Sequence, residues 1–174
     1  AIGFNHRFGY KGSGDAKLLQ EIGDIYGFKV KVVKPVHIDG RIVSSSIIRK
    51  FILEGNMELA SRYLGRNFIM EGKVVAGKGM GKKLGFPTAN LHYDFNLITP
   101  AKGVYITRTA VNGRLFNSVT NIGSNPTFHE RGVHVETHIL DFDDDIYGKE
   151  ITVHFIKKIR DEIKFSESGH LMEQ

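Results

Sequence analysis

A segment rich in glycine and lysine, in the middle of the sequence, has residue types that could bind phosphate. It reads Gly77-Lys78-Gly79-Met80-Gly81-Lys82-Lys83. Glycines expose backbone N–H groups that can bind phosphate oxygens, and Lys82 or Lys83 could neutralise phosphate charge. The segment is not a Walker A loop, because Ala76 stands in place of the first glycine and Lys83 in place of the Ser or Thr. A basic hairpin tip is the alternative interpretation.

Directly after this loop, a proline makes the backbone rigid beside a hydroxyl and an amide. The sequence is Leu84-Gly85-Phe86-Pro87-Thr88-Ala89-Asn90-Leu91. Pro87 fixes its own φ and biases Phe86 toward extended geometry. Thr88 and Asn90 can then share one face, and their oxygens suit Mg²⁺, which usually keeps waters and phosphates as its other ligands. The alternative is a strand entry in which both side chains only satisfy backbone groups.

A later segment alternates apolar residues with side chains that could act as bases or metal ligands. One face carries Val133, Val135, Thr137 and Ile139, and the other carries His134, Glu136 and His138. Alternate residues of a strand lie about 6–7 Å apart, so the two histidines cannot easily hold one ion. Taken alone, Glu136 could equally be a surface carboxylate paired with Arg or Lys.

The elements that must position these residues are mostly strands after residue 66. Strand character extends over residues 68–75, 103–111, 115–122, 133–139 and 151–155. Asn112-Gly113 is a type I′ hairpin signal between two of them. Several strands with hairpin turns and few helical windows predict a closed antiparallel β-barrel. The aspartates between residues 141 and 145 are predicted to form an acidic hairpin loop.

The first 65 residues have a different, α/β pattern. Asp15 is a candidate N-cap for a helix that Gly27 can end, and residues 28–33 alternate like a strand. A second helix is predicted over residues 47–53, and a third begins at Asn56 and ends at Gly65. The domain boundary is therefore predicted near Gly65-Arg66, with domains at residues 1–65 and 66–174 and an α+β fold overall.

Composition limits the classes of protein and partner. The chain has 174 residues, 41% apolar and 25% charged, with no cysteine and a formal net charge of +5. No apolar run is long enough to cross a bilayer, and the lack of cysteine fits a cytoplasmic protein without disulfides. Positive charge allows anionic partners, but basic residues alternate with acidic ones, so a nucleic-acid partner is not favoured.

These segments and several others occur in the order typical of one enzyme family. They are residues 72–91, Gly103-Val104-Tyr105, Asn121-Ile122-Gly123, Pro126-Thr127-Phe128, residues 135–142, Tyr147-Gly148 and residues 159–165. The ordered series resembles the riboflavin kinases and covers essentially everything from Phe68 to the end. The resemblance implies a Greek-key barrel that transfers a phosphoryl group from MgATP to the 5′-hydroxyl of riboflavin, giving FMN and ADP.

The same resemblance implies a role for each candidate site residue. It implies Glu136 as the catalytic base and Thr88 and Asn90 as ligands of Mg²⁺. The implied ATP-binding residues are Gly77, Gly79, Gly81, Lys82, Pro87, Thr88 and Tyr147. The implied flavin-binding residues are Asn90, Arg160 and Phe165.

The N-terminal segment resembles the end of the flavin adenylyltransferase module of bacterial bifunctional FAD synthetases. The resemblance rests on Gly3-Phe4-Asn5-His6-Arg7-Phe8-Gly9, Gly14-Asp15 and Ser44-Ser45-Ser46-Ile47-Ile48-Arg49. The N-terminal nucleotide signature of that module is absent, and Asn5 stands where the family usually has an acid. We therefore expect a fragment of a longer protein that also adenylylates FMN to FAD, and no such activity in this chain alone.

Two other functions compete with the kinase interpretation. One is a flavin or nucleotide regulator that keeps the barrel without turnover. The other is an RNA-binding barrel, suggested by the positive charge, but the sequence lacks a face on which aromatic and basic residues alternate.

Overall fold

The computed structural model of the protein describes residues 1–77, 86–124 and 133–162. The chain divides into two compact units, Ala1–Ser44 and Ser45–Gln174. No helix within the described ranges combines the length and the hydropathy that a membrane crossing requires.

The first unit is a small α/β segment. Its α-helix is α1 (Ala16–Tyr26), and its strands are β1 (Ile2–Gly3), β2 (Val32–Val33), β3 (His37–Ile38) and β4 (Arg41–Ile42); a 3-10 turn spans Tyr10–Gly12. The predicted ends of α1 are confirmed, because the Asp15 side chain accepts a hydrogen bond from the Leu18 N–H and Gly27 closes the helix in the left-handed conformation. The predicted strand over residues 28–33 is wrong in extent. Phe28 still donates its N–H to the Gly23 carbonyl of α1, so strand pairing starts only at Val32.

The second unit begins with a helical hairpin made of α2 (Ser45–Leu53) and α3 (Met57–Leu64). The predicted cap is confirmed, since the Asn56 side chain accepts a hydrogen bond from the Leu59 N–H. Apolar side chains at helical spacing form the buried face of the hairpin, namely Phe51, Ile52, Met57, Ala60 and Tyr63. The hairpin packs on the strands that follow, with α3 against β5 and β10.

After α3, the described residues of the second unit form a closed barrel of six antiparallel strands. The strands are β5 (Phe68–Val75), β6 (Ala89–His92), β7 (Gly103–Val111), β8 (Arg114–Ser124), β9 (Val133–Ile139) and β10 (Glu150–Arg160). Their order around the barrel is β10-β5-β6-β9-β8-β7. Because β7, β8 and β9 follow one another as neighbours and β10 returns beside β7, the barrel contains the predicted Greek key.

The interior of the barrel is apolar on most sides and polar along one line. Its buried apolar residues include Met70, Leu91, Tyr105, Ile122, Val135, Val153 and Phe155. Five buried hydroxyl groups connect β7, β8 and β9 in the order Thr109, Ser118, Thr107, Thr120, Thr137, each 2.8 Å from the next. The interior therefore satisfies these hydroxyls among themselves, as buried polar groups require.

The division between the compact units falls at Ser44–Ser45, earlier than the predicted boundary near Gly65-Arg66. The reason is that the helical hairpin buries its apolar face on the barrel side of the division. Ala101, which precedes β7, also donates its N–H to the Ile52 carbonyl of α2 at 3.3 Å.

Candidate active site

Glu136 lies between two asparagines on the outer face of the barrel wall. It pairs with Asn90 of β6 on one side and with Asn121 of β8 on the other. Directly opposed residues of antiparallel strands point to the same face, with Cβ atoms about 4.5–5.5 Å apart. We call Asn90, Glu136 and Asn121 the polar row. All three side chains are half-buried, while the adjacent Val135 and Thr137 point into the barrel.

Gly77 lies directly against the polar row. A Cβ atom added at this position would overlap the side-chain amide of Asn90. The backbone at Gly77 therefore packs on that amide and fixes where it can lie. The structure thus brings together three of the predicted site residues, Gly77, Asn90 and Glu136.

A pocket of about 360 Å³ opens at the end of the barrel where β6 begins and β9 ends. Its floor comes from inward-facing residues, which are the apolar Val74, Ala89 and Ile139 together with Thr137. Pro87 and Thr88 form part of its rim, and so does Tyr147. Three of the predicted ATP-binding residues therefore line one cavity. Asn90 and Glu136 are not in its lining, because they face the outside of the wall.

A histidine fixes the rim segment that carries Thr88. The Nδ1 atom of His138 lies 2.8 Å from the carbonyl oxygen of Pro87. The Phe86 ring meets the His138 ring edge-on, with centroids 5.7 Å apart and an interplanar angle of 85°. The outer face of β9 thus carries both Glu136 and the support for the rim segment.

The acidic loop contributes to the pocket, which the sequence did not reveal. Asp143, Asp144 and Asp145 line the cavity beside Phe142 and Tyr147. The Asp145 carboxylate accepts a hydrogen bond from the Tyr147 N–H at 2.9 Å, which holds the exposed tyrosine at the rim. Sequence reasoning interpreted these aspartates only as a hairpin loop, because their place at the pocket depends on how the loop folds back.

The opposite end of β9 carries a second cluster. The Glu162 carboxylate accepts hydrogen bonds from the Ser124 N–H at 3.3 Å and the Ser124 hydroxyl at 3.4 Å. A Cβ atom at Gly123 would overlap that carboxylate and lie 2.6 Å from Cε1 of His134. The carboxylate and the imidazole therefore both pack over Gly123.

Arg160, a predicted flavin-binding residue, lies near the same end at the last position of β10. It pairs with Val104 of β7, which in turn pairs with Asn121. Arg160 thus extends the register of the polar row by two strands, or about 10 Å. The neighbouring Asp161 accepts a hydrogen bond from Lys158 at 2.6 Å, which lowers the pKa of that carboxyl.

Some site predictions cannot be compared with the structure. Gly79, Gly81, Lys82 and Phe165 lie outside the described residues. Asn121, in contrast, was quoted in the family resemblance without a role, and only the β8–β9 register places it beside Glu136. The Asn112-Gly113 turn fixes only which residues of β7 and β8 oppose each other, so it could place Asn121 beside Val104 but not beside Glu136.

The chemistry of the donor set fits a magnesium ion. Thr88 and Asn90 offer a hydroxyl and an amide oxygen, which are hard ligands. Among the described residues there is no cluster of three or more His, Cys, Asp or Glu side chains that could hold a metal. Two neutral oxygen donors would suit an ion that keeps waters and substrate phosphates as its other ligands.

The fold and the site together define a closed Greek-key barrel with a pocket at one end and a half-buried carboxylate on its outer wall. Comparison with protein families identifies which such barrel it is. The model described as riboflavin kinase matches residues 64–174, and the model described as FAD synthetase matches residues 1–47. The chain belongs to the riboflavin kinase family.

Individual relatives have the same two parts. The bifunctional riboflavin kinase/FMN adenylyltransferase of Haemophilus influenzae is 36% identical over 166 residues, which cover 95% of this chain and 54% of that protein. The protein of the same name from Escherichia coli K12 is 37% identical, over 100% of this chain and 56% of that protein. The chain therefore spans little more than half the length of these relatives.

A solved structure has the same fold over nearly the whole chain. It is a crystal structure named as a macrolide-efflux protein from Streptococcus pneumoniae, with a TM-score of 0.87 and 33% sequence identity. The match covers 99% of this chain and 56% of that one.

Proposed function

We propose that the barrel transfers the γ-phosphate of ATP to the 5′-hydroxyl of riboflavin, giving FMN and ADP. The observation that supports this most directly is the position of Glu136. It lies midway along β9, with the Pro87–Thr88 rim of the pocket toward one end and the Arg160–Glu162 cluster toward the other. A base in this position has room for a nucleotide on one side and an acceptor alcohol on the other.

In this proposal ATP occupies the pocket. Thr88, Pro87 and Tyr147 bind it at the rim, and the apolar floor excludes water from the adenine. The glycines and Lys82 of the loop contact the phosphates through N–H groups and charge. Thr88 and Asn90 would hold Mg²⁺, whose charge offsets that of the phosphates.

Riboflavin lies along the outer wall of β9, with Arg160 and Phe165 beside the ring system. Asn90 and Asn121 flank Glu136 and can orient the ribityl chain by hydrogen bonds. Such positioning is the main contribution that a protein makes to phosphoryl transfer.

The reaction needs one proton transfer. The Glu136 carboxylate accepts the proton of the 5′-hydroxyl as its oxygen bonds to the γ-phosphorus. The bond between the γ-phosphorus and the bridging oxygen breaks, and ADP leaves with the electron pair of that bond. Glu136 then returns its proton to solvent.

We extend the proposal to the longer protein of which this chain spans a part. The match of residues 1–47 to the FAD synthetase model supports a second activity there, adenylylation of FMN to FAD. The partners are the small molecules riboflavin and ATP, and the compartment is the cytoplasm, whose reducing conditions suit a chain without cysteine.

The test is FMN formation from riboflavin and MgATP, followed by chromatography. We expect wild-type protein to form FMN, and Glu136→Gln to lower kcat by at least about 100-fold because the amide cannot take the proton. Riboflavin binding, measured by quenching of flavin fluorescence, should survive in the variant.

Glu150→Gln is the matched control. It removes an exposed carboxylate at the start of β10 and should leave turnover unchanged. Full activity in Glu136→Gln would remove this residue from the mechanism. A wild-type protein that binds riboflavin and ATP without forming FMN would support the non-catalytic regulator instead.

A further inference from the structure

The segment that carries Thr88 is joined to the barrel wall by a side chain. Paired residues of β6 and β9 begin only at Ala89 and Thr137, so Phe86, Pro87 and Thr88 lie outside the strand ladder. Pro87 has no N–H to donate. The hydrogen bond from His138 to the Pro87 carbonyl, at 2.8 Å, holds this stretch to β9.

The chemistry of this bond fixes the proton on the imidazole. A carbonyl oxygen only accepts, so the Nδ1 atom of His138 must carry the hydrogen. The Pro87 carbonyl belongs to the peptide group that includes the Thr88 nitrogen, and a peptide group is planar. Holding the carbonyl therefore sets the plane from which the Thr88 side chain projects.

Two further features restrict the same segment. The φ angle of Pro87 is fixed by its ring, and the edge-on contact with Phe86 packs against the imidazole from the preceding residue. The imidazole thus contacts the residues on both sides of the peptide bond that leads into Pro87. Little freedom remains in the backbone that presents the Thr88 hydroxyl at the pocket rim.

We infer that His138 is a positioning residue for the nucleotide site. It orients Thr88 toward the phosphates through the Pro87 carbonyl and does not itself touch a substrate. The inference rests on the proposed function for its kinetic consequences, while the hydrogen bond itself can be tested without it.

The kinetic test compares three substitutions at this position. His138→Ala removes the donor and should raise the KM for ATP and lower kcat/KM for ATP by up to about 100-fold, as expected for a misplaced reacting group. The KM for riboflavin should change by less than about threefold, because His138 lies at the Pro87 end of β9, away from the end that carries Arg160 and Glu162. His154→Ala, a half-buried histidine of β10, is the control for loss of an imidazole.

The conservative variants separate positioning from packing. His138→Asn places an amide N–H as many bonds from the backbone as Nδ1 and should restore most of the loss. His138→Gln places its N–H one bond farther away and should not. Thermal unfolding of each variant, followed by circular dichroism, shows whether a loss of activity comes only from unfolding.

A spectroscopic measurement tests the bond in the wild-type protein. In ¹⁵N-histidine-labelled protein at mildly alkaline pH, we expect His138 to show a protonated Nδ1 and an unprotonated Nε2. The signal is assigned by its absence in His138→Asn. A proton on Nε2 alone would overturn the inference whether or not the protein is a kinase.

The kinetic outcomes also separate the two proposals. An active wild type whose ATP kinetics are unchanged in His138→Ala overturns the positioning role and leaves the kinase assignment standing. The positioning role is also overturned if His138→Ala lowers kcat/KM equally for ATP and for riboflavin and His138→Asn restores neither. If the wild-type protein forms no FMN, the proposed function is wrong. The NMR measurement then tests only whether His138 donates a hydrogen bond to the Pro87 carbonyl.

Discussion

At two positions of the candidate site only glycine fits without displacing a neighbour, because neighbouring side chains occupy the space where a Cβ atom would lie. At Gly77 that space belongs to the amide of Asn90, and at Gly123 it belongs to the carboxylate of Glu162. Gly77 was predicted as a phosphate-binding residue because glycine exposes its N–H. The structure shows a further requirement, since any side chain at Gly77 would displace one member of the polar row.

Tyr105 makes the stability of the barrel sensitive to alkaline pH. Its ring is fully buried, and its hydroxyl donates a hydrogen bond to the Ala101 carbonyl. Burial, with the charge of Asp161, raises the pKa of Tyr105 from 10.0 to about 12. The folded state favours the protonated form, so this contribution is complete below pH 10 and is lost as the pH rises toward 12.

We therefore expect the free energy of unfolding, measured with urea, to fall more steeply between pH 10 and 12 in wild type than in Tyr105→Phe. The difference in slope should reach about 1.4 kcal/mol per pH unit. At pH 8 the variant should be the less stable, because the hydrogen bond to Ala101 is gone. Parallel pH profiles would show that Tyr105 is not the titrating group.

At the scale of the element, β9 has a different task on each face. Its inner face carries Thr137, which ends the buried line of hydroxyls and also lines the pocket. Its outer face carries Glu136 and His138, which serve the proposed chemistry. A shift of the strand by one residue would exchange the two faces, so register here determines both stability and the site.

The buried hydroxyls should stabilise the register of β7, β8 and β9. Thr120 is central, because its hydroxyl bonds both Thr107 and Thr137 at 2.8 Å. Thr120→Val keeps the β-branched shape and removes both bonds, leaving two buried partners short of one hydrogen bond each. We expect a loss of about 1–3 kcal/mol in the free energy of unfolding, measured with urea.

Thr152→Val is the control, since the Thr152 hydroxyl donates a long, exposed hydrogen bond to Glu71 at 3.4 Å. Its effect should stay within about 0.5 kcal/mol. Equal unfolding midpoints for wild type and Thr120→Val would show that the hydroxyls add nothing to stability.

The sequence predicted five of the six barrel strands that the structure describes, and their faces, because alternation is a local signal; it missed β6, whose four residues are too few to show the pattern. The outward face of Glu136 and the Asn112-Gly113 hairpin are examples, and both are confirmed. The pairing of Asn90 with Glu136 could not be read in this way, because it joins strands far apart in the chain. The contact of His138 with Pro87 depends on the same long-range pairing.

At the scale of the whole molecule, two boundaries divide the chain differently. The match to the FAD synthetase model ends at residue 47 and the match to the riboflavin kinase model begins at residue 64, whereas the compact units of the structure divide at Ser44–Ser45. The change in sequence pattern led us to predict a boundary near Gly65-Arg66, which stays a prediction. The sequence pattern changes where helices are followed by strands. The division between compact units depends instead on which elements bury their apolar faces against each other.

Two fragments test where the folding unit of the barrel begins. Residues 45–174 keep the helical hairpin and every residue of the candidate site, so we expect this fragment to fold and to form FMN at the rate of the full chain. Residues 66–174 keep the site but lose the buried Phe51, Ile52, Met57 and Tyr63. Burial of four such side chains is worth about 6–12 kcal/mol before the cost of ordering the hairpin.

That range is comparable with the whole stability of a typical domain, about 5–15 kcal/mol. The shorter fragment should therefore melt many degrees lower by circular dichroism, or fail to show a cooperative transition, and its FMN formation should fall with its folded fraction. Equal melting midpoints for the two fragments would mean that the hairpin does not stabilise the barrel. The folding unit would then begin where the sequence pattern changes, at residue 66.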